Sequence, residues 1–157
     1  MKLTIVAVSQ RPPDWAQTAY DDYIRRIGPD WSVDLKLVKP APRQTGKSAI
    51  QNMAIEAVRI DSALKNVAGI RIALDERGKP LTTHDFLSLI ATNQESHGGV
   101  ILIIGGPDGL DSEFKQRCPI KIRLSAMTLP HALVKVILAE QLYRAYAIRT
   151  GHPYHRD

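Results

Sequence analysis

Cysteine, long apolar runs and aromatic side chains are all scarce in this chain of 157 residues. Its one cysteine, Cys118, can form no internal disulfide and supplies no thiolate metal site, which favours a cytoplasmic protein. No apolar run approaches the roughly 20 residues of a membrane span, and the N-terminal run is too short for a secretion signal. We therefore expect no membrane segment and no covalent cross-link.

Acidic residues are also fewer than basic ones. The chain has 21 Lys and Arg against 16 Asp and Glu, which gives a formal charge of +5. This excess favours a polyanionic partner such as RNA, although a basic surface also serves solubility. Internal repeats and linker-like segments are absent as well, so residues 1–157 are predicted to form a single domain.

The apolar runs that are present have the length of strands. Residues 3–8, 33–38, 70–74, 100–104 and 120–124 predict five strands, of which the second and fifth alternate polar and apolar residues. Helices are predicted over residues 14–27, 48–66, 83–92, 112–117 and 130–149. Their alternation predicts an α/β fold, with a mostly parallel sheet flanked by helices.

The last predicted helix carries apolar residues all round its circumference. A small domain can rarely bury such a helix completely, so a second partner is needed. We therefore expect a homodimer with this helix in the interface. Pro130 suits the first helical position, and Gly151 suits the C-terminal cap.

Two loops should lie at the carboxyl edge of the sheet, side by side if the strands that precede them are neighbours. The first, GGPDG at residues 105–109, follows the most apolar strand, and the second, LSAMTLP at residues 124–130, follows the fifth strand. Glycine permits close backbone approach to a flat ligand, and open α/β sheets bind ligands at this edge. Either loop alone is equally typical of a plain turn, with Thr128 as a helix cap.

The C-terminal segment GHPYHRD is polar and follows the end of the last helix. Such tails are often frayed. Here, however, Tyr154 could stack on a base, Arg156 could hold a phosphate, and His152 or His155 could handle a proton. The two histidines have no convincing further ligands, so no metal site is expected.

A rival motif lies between Ala41 and Ser48. The sequence APRQTGKS matches a loose phosphate-binding loop. A phosphate cradle needs consecutive backbone N–H groups, however, and Pro42 lacks one. A basic surface loop is the preferred interpretation, with a nucleotide hydrolase kept as an alternative.

Several motifs in order resemble one known family along nearly the whole chain. GGPDG, LSAMTLPH, VKVILAEQLYRAY and GHPYHRD, together with KLTIVAV, PDW and LDERGK, resemble the RlmH-type members of the SPOUT methyltransferase superfamily. The resemblance implies a SPOUT-type α/β fold whose C-terminal segment forms a trefoil knot, a rare exception to unknotted topology.

The same resemblance implies an activity. It is the transfer of a methyl group from S-adenosylmethionine to N3 of a pseudouridine in 23S ribosomal RNA, carried out without a metal by a homodimer on the assembled ribosome. The implied cofactor contacts are Leu74, Asp75, Gly105, Gly106, Leu124, Ser125, Ala126, Met127, Thr128, Leu129 and Pro130. The implied catalytic residues are His152, Tyr154, His155 and Arg156, which would face the target base within one chain or across the dimer.

RNA contacts and rival functions remain open at this point. Candidate phosphate contacts are the basic residues Arg11, Arg25, Arg26, Lys39, Arg43 and Lys47. Besides the methyltransferase, we consider the nucleotide hydrolase and a noncatalytic RNA-binding dimer.

Overall fold

The computed structural model describes residues 1–43 and 46–156. The described chain alternates strands and helices, as the sequence predicted. The strands are β1 (Lys2–Val8), β2 (Ser32–Val38), β3 (Ile70–Pro80), β4 (Val100–Ile104) and β5 (Ile120–Arg123). The helices are α1 (Asp14–Arg25), α2 (Ala49–Ala63), α3 (Thr83–His97), α4 (Ser112–Gln116) and α5 (His131–Thr150).

The strands form one sheet in the order β2-β1-β4-β3-β5, in which every neighbouring pair is parallel. β4 lies at the centre and all its residues are buried, because strands flank it on both sides and helices cover both faces. The alternating strands β2 and β5 lie at the two edges. All carboxyl ends therefore meet along one side of the sheet, which we call the carboxyl edge.

Helices cover both faces of the sheet. Leu3 and Ile5 of β1 point into the core that contains residues of α1, α3 and α5, whereas Val6 and Val8 point into the core formed with α2 and α4. This alternation follows from the period of two in a strand. Cys118 is buried in the second core, where burial raises the pKa of its thiol.

Most element boundaries differ from those predicted by a few residues, and three of the differences are informative. β3 continues to Pro80 instead of stopping at residue 74, and α3 continues to His97, where Gly98 with φ of 71° ends it. The apolar periodicity of α3 stops before the helix does, because its last turn is exposed. Pro130 is not the first helical residue: its ψ of 140° is extended, and α5 begins at His131.

α5 runs along one face of the sheet and buries only part of its circumference. Leu138 and Leu142 are fully buried in the core. Leu133, Val136, Ile137 and Ile148 are only partly buried and belong to neither core of the described residues. None of the helices in the described ranges is long and apolar enough to span a membrane.

Candidate functional site

A cavity of about 400 Å³ opens at the carboxyl edge, between the end of β3 and the segment that joins β5 to α5. Its volume falls in the range of small-molecule sites. Eight of the eleven predicted cofactor contacts line it: Leu74, Asp75, Leu124, Ser125, Ala126, Met127, Thr128 and Leu129. We call this space the β3–β5 cavity.

One wall of the β3–β5 cavity is a bulge in β3. Leu74 and Lys79 both pair with Ile122 of β5, so the four residues between them leave the ladder. Gly78 is the last residue of the bulge, and its lack of a side chain allows the backbone to approach β5 closely. A Cβ at this position would lie 2.4–2.6 Å from backbone atoms of Ile122. Asp75, Glu76 and Arg77 are thereby placed on the cavity wall.

Asp75 is fixed within this bulge. Its carboxylate accepts a hydrogen bond from the Arg77 backbone N–H at 3.2 Å and lies 3.1 Å from Lys115 Nζ of α4. Burial would raise the pKa of Asp75, but the Arg77 N–H and the Lys115 ammonium outweigh it, so the pKa lies below its usual value. The Asp75 carboxylate is therefore ionised and held in a fixed position on the cavity wall.

The opposite wall is the loop of residues 124–130. Within it, the Met127 N–H donates to Ser125 Oγ at 2.9 Å. In the described part of the chain, the N–H groups of Ala126, Thr128 and Leu129 donate to no protein acceptor. These amides can donate hydrogen bonds to the polar edge of an adenine ring, and the apolar side chains of Leu124 and Val134 beside them can contact its face.

Arg123 also lines this cavity, and its Nε is buried without a partner among the described residues. An unpaired buried donor is costly unless a ligand or water satisfies it. The sequence predicted a strand here with alternating polar and apolar residues. It did not identify Arg123 as a residue of the site.

The glycine turn after β4 does not line the β3–β5 cavity. A Cβ on Gly105 would meet the backbone of Gly109 at 2.8 Å, and a Cβ on Gly106 would meet the Glu56 carboxylate at 2.9–3.0 Å. The glycines are therefore needed for close packing inside the protein. Pro130 also lies outside the lining of that cavity.

Glu56 is a buried carboxylic acid that the sequence patterns did not single out. It is 2% exposed, its Oε2 accepts the Ala41 N–H at 3.3 Å, and its Oε1 has no partner among the described residues. Burial raises the pKa of Glu56, an effect that the Ala41 N–H and Arg43 only partly oppose. The sequence did not predict that Glu56 is buried, because a glutamate on a helix is usually exposed to solvent.

The C-terminal tail folds back onto α5 instead of fraying. The Tyr154 hydroxyl donates to Glu140 Oε1 at 3.1 Å, and the Tyr154 ring lies 4.6 Å from the Tyr143 ring and 4.8 Å from the Arg144 guanidinium. Burial raises the pKa of Tyr154, with Tyr23 and Glu140 acting in the same direction. Tyr154 is therefore a neutral hydrogen-bond donor.

The two tail histidines are both engaged. His152 Nδ1 accepts the Tyr154 N–H at 3.2 Å. His155 Nδ1 lies 3.3 Å from Arg144 Nη1, and because Arg144 can only donate, this nitrogen accepts. His155 also packs against His84, with 5.2 Å between ring centroids. Arg156 is exposed, and Asp157 lies outside the described residues.

The structure does not bring the tail and the β3–β5 cavity together within one chain. None of His152, Tyr154, His155 or Arg156 lines that cavity. The tail contacts Glu140, which lies six residues beyond the cavity residue Val134, or roughly 9 Å along the helix axis. The predicted site thus consists of two separate groups of residues in one protomer.

The loose phosphate-loop motif lacks the expected geometry where it is described. Gln44 and Thr45 lie outside the described residues. Arg43 pairs with Asp108, and Ser48 caps α2 by accepting the Gln51 N–H at 3.2 Å. These contacts favour a basic loop followed by an ordinary capped helix. Over residues 1–43 and 46–156, no three His, Cys, Asp or Glu side chains cluster closely enough to hold a metal ion.

Comparison with known proteins agrees with this architecture. Residues 1–155 match the family described as "Predicted SPOUT methyltransferase". The chain is 50% identical over 156 residues to a Bordetella petrii protein, with 99% of each chain covered, and 52% identical over 158 residues to a Polaromonas naphthalenivorans protein, with 100% covered. Both relatives are named "Ribosomal RNA large subunit methyltransferase H".

Two solved structures share the fold. A probable methylase family protein from Haemophilus influenzae superposes with a TM-score of 0.58 at 12% identity, covering 99% of this chain and 70% of that one. A probable methyltransferase from Bordetella pertussis gives 0.55 at 18% identity, covering 92% and 93%. At such low identity these likenesses support the fold alone.

Proposed function

Because the chain belongs to the SPOUT methyltransferase family, we propose that it transfers a methyl group from S-adenosylmethionine to N3 of a pseudouridine in 23S ribosomal RNA, acting as a homodimer on the assembled ribosome. At the coarser level, it is a methyltransferase of large-subunit ribosomal RNA. The observation that carries the proposal is the β3–β5 cavity, which collects eight of the residues expected to contact the cofactor.

The β3–β5 cavity has the chemistry that the methyl donor requires. The amides of Ala126, Thr128 and Leu129 can bind the adenine edge, while Leu74 and Val134 supply apolar surface. The donor brings the reactive methyl on a sulfonium, so the protein chiefly has to hold and align the reacting groups. Asp75 supplies a fixed negative charge near the positively charged donor.

The tail provides hydrogen-bond donors and positive charge for the RNA base. The Tyr154 hydroxyl donates to Glu140 and so holds the tail in place, whereas His152 and His155 both accept at Nδ1, which leaves Nε2 of each to carry its proton. The imide N3 of pseudouridine becomes negative as it loses its proton, so donors and the Arg156 cation favour the reactive form. These tail groups therefore suit stabilisation of the anionic base.

A homodimer would complete this arrangement. Leu133, Val136, Ile137 and Ile148 leave apolar surface on the outward side of α5, and the tail contacts Glu140 beside it. A two-fold interface through this side would set the tail of one protomer against the neighbouring protomer. We propose that each active site combines the β3–β5 cavity of one chain with the tail of its partner.

The deciding experiment is a methylation assay with intact ribosomes, compared with free subunits. Transfer to a pseudouridine, identified by mass of the product nucleoside, supports the proposal. Calorimetry runs beside it. We expect S-adenosylmethionine to bind without magnesium. Magnesium-dependent binding of ATP would instead favour the nucleotide hydrolase. If neither compound binds, a noncatalytic RNA-binding protein is favoured.

Truncation after Gly151 tests the tail separately. The variant is expected to bind S-adenosylmethionine as the full chain does, because no tail residue lines the β3–β5 cavity. It is expected to lose methylation of intact ribosomes. If turnover is unchanged, the tail has no part in the reaction.

A further inference from the structure

A second and larger cavity lies at the carboxyl edge, on the other side of the first turns of α5. Its volume is about 730 Å³. It is bounded by the ends of β1 and β2, the loops that follow them, Ile104 and the start of α5. We call it the β1–β2 cavity. It shares no residue with the β3–β5 cavity, and the proposed reaction leaves it unused.

The walls of the β1–β2 cavity are apolar and stiff. Five prolines line it: Pro12, Pro13, Pro40, Pro42 and Pro107. Proline fixes its own backbone angle and carries no N–H donor, so these walls are preformed and offer mostly apolar surface. Ala41 and Ile104 extend this surface. A flat apolar face, such as that of a nucleobase, suits it better than a strongly hydrated group does.

The charged side chains that line the β1–β2 cavity are cationic. Four cationic side chains line it, Arg11, Lys39, Arg43 and Lys135, and no Asp or Glu is found among the described lining residues. Arg43 pairs with Asp108, and Arg11 lies 3.9 Å from Asp14. Lys39 is exposed and has no acidic partner within the described ranges. Proteins bind the backbone of single-stranded nucleic acid in cationic grooves, and here prolines take the place of the aromatic side chains on which bases usually stack.

Lys135 is the most unusual group in this cavity. It is 4% exposed, its Nζ donates to Gln17 Oε1 at 3.2 Å, and it lies 5.1 Å from the centre of the Tyr20 ring. These partners are neutral. Burial lowers the pKa of Lys135, an effect that the charge of Asp21 only partly opposes, and Lys135 forms no ion pair within the described ranges. A buried cation is stabilised when an anion comes within reach.

We propose that the β1–β2 cavity binds an unpaired nucleotide of the RNA, next to the nucleotide that is methylated. Its base lies against the prolines, and its phosphate lies near Lys39 and Lys135. The two cavities adjoin along the same helix, because Lys135 lines one and Val134 lines the other. The inference rests on the proposed function for the identity of the ligand as RNA.

A pair of charge reversals tests the proposal on intact ribosomes. Lys39→Glu is expected to raise the KM for ribosomes about tenfold or more, at unchanged kcat and unchanged affinity for S-adenosylmethionine, because a phosphate contact is lost. Lys65→Glu is the matched control. It changes the net charge equally, but Lys65 is exposed at the end of α2 and lines neither cavity. Equal effects of the two variants would overturn the proposal.

A direct binding measurement separates this inference from the proposed function. Uridine 5′-monophosphate, titrated into the full-length protein and followed by amide NMR, is expected to shift signals of residues 7–13, 39–43 and 131–135. Lys135→Met, which keeps the length of the side chain, should weaken these shifts while a thermal melt shows that the variant is folded. If no shifts appear at these residues, the cavity is not a nucleotide site, whatever the enzyme methylates.

The same variants distinguish a protein occupant. If Lys39→Glu leaves the KM unchanged but shifts the monomer–dimer equilibrium, the cavity holds part of a second copy of the chain, and the proposal is wrong. Sedimentation of wild type, Lys39→Glu and Lys65→Glu gives this result.

Discussion

Glu56 shows how one side chain can join two parts of the carboxyl edge. Its carboxyl group accepts the Ala41 N–H of the loop after β2 and lies directly against Gly106 of the turn after β4. Burial keeps the pKa of this carboxyl above its usual value. In the protonated form it can both accept and donate, which suits a position with an otherwise unpaired oxygen.

The stability of the protein should therefore depend on the protonation of Glu56. The folded state retains a proton on Glu56 that the unfolded state releases. The stabilisation that this proton gives is therefore complete below the usual glutamate pKa of about 4.3, and it is lost as the pH rises through the pKa of Glu56 in the folded state. Glu56→Gln mimics the protonated form. We expect the variant to equal the wild type near pH 4 and to be more stable at pH 8, in urea unfolding.

Glu95→Gln, on the exposed side of α3, is the control. Its stability relative to the wild type should change little over the same pH range. If the two variants have the same pH dependence, Glu56 does not keep its proton on folding.

At the level of elements, the bulge in β3 creates the β3–β5 cavity. A continuous strand would place residues 75–78 in the ladder with β5, and they would no longer form a wall. The bulge can pack this closely against β5 only because residue 78 has no side chain.

Gly78→Ala should therefore be strongly destabilising. The added methyl group would overlap the backbone of Ile122, which cannot move aside as a flexible side chain would. We expect a loss of about 3 kcal/mol in the free energy of unfolding, together with weaker S-adenosylmethionine binding. Thermal and urea unfolding give the first quantity, and calorimetry gives the second.

Gly98→Ala provides the comparison. Gly98 has φ of 71° and open space around it, so alanine there costs only backbone strain of about 1 kcal/mol. If Gly78→Ala is no more costly than Gly98→Ala, the close approach to β5 does not matter.

The elements themselves were largely predictable from the sequence. Buried parallel strands such as β4 are short continuous apolar runs, and the alternation in residues 33–38 is typical of the edge position that β2 has in the sheet. The bulge was not predictable, because the sequence DERG is typical of an ordinary turn. Only the structure, in which Leu74 and Lys79 both pair with Ile122, shows that the strand continues after these residues. The trefoil knot, implied only by the family resemblance, stays a prediction.

The candidate site was predicted less evenly. Residues 124–129 line the β3–β5 cavity, because a loop after a parallel strand must lie at the carboxyl edge, and their contact with the cofactor stays a prediction. Gly105 and Gly106 do not line it, and a glycine needed for internal packing has the same sequence signature as one that admits a ligand, so their contact with the cofactor also stays a prediction. Glu56, Arg123 and Lys135 gave no signal, because their roles depend on burial by distant segments.

At the level of the whole molecule, the proposed dimer depends on the outward side of α5. The apolar residues on this side of the helix do not form a core within one chain, yet a helix side that faces solvent usually carries fewer of them. Across a two-fold axis each residue would contribute twice, so a single substitution carries a doubled effect.

Ile137→Arg should therefore dissociate the proposed dimer. A buried, unpaired guanidinium in each half of the interface is expected to weaken association by more than about 100-fold. The monomer should retain S-adenosylmethionine binding and lose methylation, because the β3–β5 cavity would lack the partner's tail. Sedimentation equilibrium and the ribosome assay measure the two effects.

Ile50→Arg serves as the control, because Ile50 is 72% exposed on α2 and lies outside the proposed interface. It should remain a dimer. If Ile137→Arg also remains a dimer, or if its monomer methylates ribosomes normally, the two-chain active site is wrong.

The strand order has a consequence for how the chain folds during its synthesis. The first two strands can pair as soon as they emerge, but the centre of the sheet is filled by β4, which begins only at Val100. At roughly 5–20 residues per second, a ribosome needs several seconds or more to reach that point. Until then β1 has one open edge and β3 has no neighbour, so the nascent chain exposes unpaired apolar strands. We therefore expect folding to be late and dominated by contacts distant in sequence, and thus slow for a protein of this size.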